Sequence, residues 1–174
     1  MSNLDLDICY LSASEALEKF KNKSLSPVEL LTETIKRIED VNPKINAFNF
    51  FRFEEALEEA KNSESKYSKG EVSLPLEGVP LAIKDEVNIT GQPNKNGSLI
   101  FKDVIAESTD VDVESLVNSG AIIHARTTNP EFSLTSFCHS KINGVTRNPW
   151  NLEMTPGGSS GGSAAALAAG CATL

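Results

Sequence analysis

The segment with the most chemistry in it runs Pro156-Gly157-Gly158-Ser159-Ser160-Gly161-Gly162-Ser163. Its four glycines permit backbone geometry that other residues resist. Its serines place hydroxyl groups in that loop, and the small-residue run Ala164 to Ala169 predicts a helix whose first N–H groups face it. A second candidate is Lys84, delivered at the end of the apolar run Gly78-Val79-Pro80-Leu81-Ala82-Ile83 and followed by Asp85 and Glu86. A lysine acts as a base near neutral pH only if it gives up a proton ordinarily held to about 10.4. Burial at the end of an apolar strand favours that loss, because it penalises the charged form. Asp85 and Glu86 would oppose it if they pointed the same way, and strand alternation turns Asp85 to the other side. Taken alone, Lys84 reads as a surface lysine at a strand end.

Four readings of the Gly/Ser loop compete. A phosphate cradle needs GxxxxGK followed by Ser or Thr, and neither that pattern nor GxGxxG occurs here. A nucleophile elbow is formally satisfied by Gly158-Ser159-Ser160-Gly161-Gly162, with Ser160 as nucleophile. That elbow follows a buried strand, however, and its histidine comes later in the chain. Both histidines, His124 and His139, precede this loop. A plain flexible linker leaves the alanine helix after the loop and Asn148-Pro149-Trp150 before it without a reason. The fourth reading joins the serine pair to Lys84 as a Ser–Ser–Lys site.

The surrounding elements are those of an α/β protein. Ser12-Ala13-Ser14-Glu15 is a capping box that opens a short helix to about Asn22. Ser26-Pro27-Val28-Glu29 repeats it with proline at the first helical position. Apolar residues at Leu30, Leu31, Ile35, Ile38 and Val41 continue that helix until Asn42-Pro43 is expected to end it. Ile45 to Phe50 alternates like a half-buried strand, Phe53 to Lys66 reads as a surface helix, and Asn62 to Glu71 reads as a solvated loop. Gly78 to Ile83 and Ala121 to Ala125 are buried strands, with a helix over Val111 to Asn118 between them. Asn129-Pro130-Glu131-Phe132 looks like another helix start, and Cys171 to Leu174 like the beginning of a strand. His124 fits a structural role inside its strand, while Trp150 and Phe132 fit packing roles.

Thr146-Arg147-Asn148-Pro149-Trp150 and Thr155 to Ala166 together resemble the signature of the amidase signature family. Gly78 to Asp85 resembles that family's lysine strand, and Thr127-Thr128-Asn129-Pro130-Glu131-Phe132 its middle block. The three ordered blocks lie between residues 76 and 170. The resemblance implies N-terminal helices over 1–70, followed over 76–174 by the start of the family's mixed-sheet α/β core. The whole 174 residues would be one partial, truncated amidase domain.

The resemblance also implies a chemistry. In such enzymes a serine attacks an amide carbonyl and water releases the acyl-enzyme, with no histidine involved. Carried onto this chain, Lys84 is the base and Ser159 the relay serine, with the Gly158–Ser159 bond cis. Gly158 and Ser160 are supporting residues, and Ser160 is expected to cap the alanine helix. The family's nucleophile lies in an Asp-x-Gly-Gly-Ser loop some two dozen residues beyond the relay. The sequence stops at Leu174, fifteen residues past Ser159, so the nucleophile and its oxyanion donors are absent and Ser163 is no substitute. Two expectations follow: a fragment of an amide hydrolase that is inactive alone, or a catalytically dead remnant that serves as a binding or partner protein.

Composition narrows the partners. A formal net charge of −8 disfavours nucleic acid and anionic membranes, so a small-molecule amide is the expected substrate rather than a tRNA. No run is long and apolar enough to span a bilayer. Cys9, Cys138 and Cys171 are odd in number and scattered, which fits reduced thiols in the cytoplasm rather than disulfides or a metal site. No cofactor or metal is expected, and the resemblance leaves room for a homodimer in the full-length protein.

Overall fold

The computed structural model describes residues 5–174. A short helix α1 (Leu6–Cys9) leads into α2 (Ala13–Lys21) and α3 (Pro27–Ile45). Both longer helices start on reciprocal capping boxes, Ser12 with Glu15 and Ser26 with Glu29. Helix α3 does not stop at Asn42-Pro43 but runs through Pro43 to Ile45, and Asn46 closes it in the left-handed conformation. The side chain of Asn42 secures the exit from the helix, since its Oδ1 accepts the N–H groups of Ala47 and Phe48 just past the helix end.

After β1 (Phe48–Phe51), α4 extends over Phe53–Lys69 and ends at left-handed Gly70. Most of the stretch expected as a solvated loop is therefore helix. Its polar residues are satisfied by a buried acid: Glu77 accepts from Ser63 Oγ at 2.6 Å and pairs with Lys66 at 3.0 Å. The Tyr67 hydroxyl donates to the Glu77 carbonyl. The expected strand from Ile45 shrinks to β1, because Ile45 itself still belongs to α3.

Strands β2 (Pro80–Lys84) and β3 (Ile122–Thr127) complete a mixed sheet of order β1-β3-β2, with β1 antiparallel and β2 parallel to the central β3. Helix α5 (Val111–Asn118) connects β2 to β3. Every residue of β3 is buried. Successive side chains point to opposite faces, so Ile122 packs on Leu31, Ala56 and Ala60 of the α3–α4 pair. Ile123 packs with Leu81, Ile83 and Val113 on the other side. Helix α6 (Gly161–Ala168) lays Ala165 and Ala166 against Ala125 of β3.

The segment between β3 and α6 is irregular. The expected helix at Asn129 is a single 3-10 turn, Glu131–Ser133, with Phe132 and Ser133 both at positive φ. A two-residue hairpin, β4 (His139–Ser140) and β5 (Gly144–Val145), follows. Phe132 packs edge-on against Phe101, whereas Trp150 is 87% exposed and packs no core. Cys171 to Leu174 forms no strand, yet Leu174 exchanges backbone hydrogen bonds with Pro80 and Ala82. All three cysteines are free and buried. Burial, aided by Glu33, pushes the Cys9 thiol up to about 11, and burial pushes Cys171 to about 12. Among the described residues, no helix is long and apolar enough to cross a membrane.

Candidate active site

Strand β2 carries Lys84 to its C-terminal end, where the side chain is only 11% exposed. Its Nζ lies 2.8 Å from Ser159 Oγ, bridging seventy-five residues of chain. The Gly158–Ser159 peptide bond is cis. The loop that presents Ser159 is pressed against its neighbours. A Cβ on Gly158 would sit 2.7 Å from the Thr135 carbonyl oxygen, and one on Gly162 would run into the backbone of Thr128. Glycine is thus required at both positions by close approach, not by loop flexibility. The start of α6 is tied to β3 in the same way: Ser163 Oγ and Thr127 Oγ1 are 2.7 Å apart, and the Gly162 N–H donates to the Thr128 carbonyl.

Residues 29–174 match the Amidase family. This chain belongs to the amidase family. Over 91% of its length it is 43% identical to a glutamyl-tRNA(Gln) amidotransferase component from Methylacidiphilum infernorum, of which it covers 31%. It is 38% identical to the indoleacetamide hydrolase of Bradyrhizobium diazoefficiens, covering 94% of this chain and 31% of that protein. A bacterial aryl acylamidase of the amidase signature enzymes superposes with a TM-score of 0.89 at 31% identity, covering 95% of this chain and 35% of that one. The amidase chain therefore spans about a third of the length of the relatives it matches.

Around the Lys84–Ser159 contact, the amidase chain places its other candidates separately. Ser160 stands at the N-cap position of α6, but its side chain makes no capping hydrogen bond, contrary to expectation. Its backbone is outside the extended region (φ −86°, ψ 35°) that lets an N-cap hydroxyl reach back to the helix N–H groups. Ser163 lies in the first turn of α6. His124 is fully buried, its Nε2 is 3.1 Å from the Cys171 carbonyl oxygen, and burial lowers its pKa to about 4. It is a neutral structural residue.

Asp85 is turned away from the Ser159 side into the core, beside Arg126. Burial raises its pKa more than the Arg126 guanidinium, Asn49 and the amides of Gly97 and Lys95 lower it. Arg126 is a residue that sequence reasoning missed, because the strand pattern it follows reads as apolar only as far as Ala125. It is fully buried, and its Nη2 donates to the carbonyls of Lys84 and Asp85 at 3.2 Å and to that of Val87. Nη1 reaches Gln92 Oε1 and the Pro93 carbonyl. The turn that holds Lys84 is therefore wrapped around a buried guanidinium. A charged residue directly continuing an apolar strand was the available signal. Glu86, noticed only as a neighbour of Lys84, places Oε1 2.8 Å from the Lys84 Nζ.

Proposed function

We propose that these 174 residues supply the proton-handling half of an amide-hydrolysing site, with Lys84 as base and Ser159 as relay. The single observation that carries this is the 2.8 Å contact between Lys84 Nζ and Ser159 Oγ. In the reaction the uncharged amine of Lys84 accepts the Ser159 hydroxyl proton. Ser159 takes the proton of a nucleophilic serine as that serine attacks the amide carbonyl. The proton then passes back to the leaving amine, and water, deprotonated along the same path, releases the acid from the acyl-enzyme. Gly158 lets the loop approach Thr135.

The nucleophile is not among these residues, since no serine follows Ser163 and Ser163 is tied to Thr127. We therefore expect the 174-residue chain alone to hydrolyse no amide. Its expected substrate is a small-molecule amide. The family supports amide hydrolysis, and the relatives' names range from an indoleacetamide hydrolase to a tRNA-linked amidotransferase. The acidic charge of this chain favours the former class. The test is hydrolysis of an aryl amide by the full-length protein. Lys84→Ala and Ser159→Ala are each expected to lower kcat by about a thousandfold while the circular-dichroism spectrum is retained. Unchanged kcat in Lys84→Ala, or turnover by residues 1–174 that Lys84→Ala abolishes, would refute the respective part of the proposal.

A further inference from the structure

Lys84 Nζ has two partners at the same distance. Ser159 Oγ lies at 2.8 Å on one side and Glu86 Oε1 at 2.8 Å on another. The two partners ask for different forms of the amine. A base must accept the Ser159 proton and so be uncharged, whereas a carboxylate beside it favours the ammonium ion. Glu86 is no freely waving surface acid, for its side chain is about one-third exposed and the Ser133 side chain comes up to the same carboxylate. Ser133 is brought there by the two consecutive left-handed residues of the 3-10 turn, Phe132 (φ 52°) and Ser133 (φ 55°). Such backbone is disfavoured away from glycine. The Asn129 side chain donates to Ser133 Oγ at 3.0 Å and secures the arrangement.

We propose that Glu86 is a positioning residue that holds Lys84 as an ion pair beside Ser159 and thereby sets the pH dependence of amide hydrolysis at this site. The inference rests on the reading of Lys84 as the base. Other charged groups near β2 are otherwise engaged. Asp85 is buried and Arg126 is held by the backbone carbonyls of the turn. Glu131 accepts from Ser98, Lys95 meets Asp85 only through its backbone amide, and α6 carries no ionisable side chain. Glu86 is thus the acid in ion-pair contact with the amine. Burial raises its own pKa, but hydrogen bonding from Lys84 and Ser133 and the charge of Lys84 outweigh this and lower it overall. The restraint is consequently charged throughout the neutral range.

The test pairs two readouts on Glu86→Gln, which keeps the shape and removes the charge. Heteronuclear NMR of lysine-labelled protein follows the Lys84 amine directly, and its signal at neutral pH is expected to move when the carboxylate is lost. The acidic limb of kcat/KM for aryl-amide hydrolysis by the full-length protein is expected to move to lower pH by about one unit, allowing for solvent screening, and Glu86→Asp is expected to restore most of it. An unmoved acidic limb in a variant with an unchanged melting temperature would overturn the inference. A moved Lys84 signal in a protein whose turnover is indifferent to Lys84→Ala would support the restraint while sinking the base assignment.

Discussion

The helical pair α3–α4 and the connection from Asn129 to Ser160 are built on different principles, although each helps define the site. The helices are specified locally, by a capping box at the start of α3, apolar spacing and a left-handed closing residue at each C-terminus. The connection has almost no regular structure and is specified by distant polar contacts. Asn46 Nδ2 donates to the Asn143 carbonyl at 2.6 Å, and Thr146 Oγ1 donates to the Asn46 carbonyl at 2.8 Å. The Arg147 N–H donates to the Ile45 carbonyl, and Thr146 meets Thr128 through their hydroxyls. Nearly all of these contacts converge on the C-terminal end of α3. The helix end is therefore where residues 143–147 of the irregular chain are fastened, while the loop that carries Ser159 packs against Thr128 and Thr135.

This contrast can be broken most forcefully at Arg126. Arg126→Met takes the donor away from the carbonyls of Lys84, Asp85 and Val87, unties the turn after Lys84, and should cost about 4 kcal/mol. The measurement is the midpoint of urea unfolding, and a loss below about 1 kcal/mol would mean the guanidinium is dispensable. A second test lies on the same strand. His124 has an ordinary pKa of 6.5 and is lowered to about 4 in the fold, so the unfolded chain binds more protons between those values. Its contribution is fully present above pH 6.5 and is lost as pH falls toward 4, by roughly 3 kcal/mol. Asp85 works in the opposite sense from 3.8 upward. The comparison that isolates the histidine is therefore His124→Leu, which should flatten the decline in the unfolding midpoint between pH 6.5 and 4. The helical side should respond least. Ser26→Ala removes one capping hydrogen bond at a solvent-facing helix start and should cost about 1 kcal/mol, with the NMR signals of Lys84 unmoved. A larger loss, or a disturbed Lys84, would mean the two regions are not separable.

The pairing of Lys84 with Ser159 is legible in the sequence because the loop's glycines and the apolar strand each carry a family-specific pattern in a few adjacent residues. The helix starts are readable for the same reason, since a cap and its partner lie three residues apart. What escapes is whatever depends on a partner far along the chain or just beyond an element's end. Helix α3 runs past Pro43 to an exit that Asn42 secures by bonding to residues beyond the helix, and α4 outlasts its polar sequence because Glu77 engages Ser63, Lys66 and Tyr67. Ser160 resembles a cap by residue type, but its backbone angles deny it that role. Trp150 resembles a packing residue by size and lies in solvent. Arg126 stays hidden because a lone cation at a strand end says nothing of the carbonyls gathered around it.

The three sequestered thiols give the molecule a built-in reporter. An alkylating dye needs a thiolate within reach, and Cys9 and Cys171 offer neither access nor acidity while Cys138 is covered on all sides. Labelling of the intact chain should therefore wait on its opening. Because Cys9, Cys138 and Cys171 belong to three separate segments, before α2, between β3 and β4, and after α6, the order in which they take up dye would chart which part lets go first.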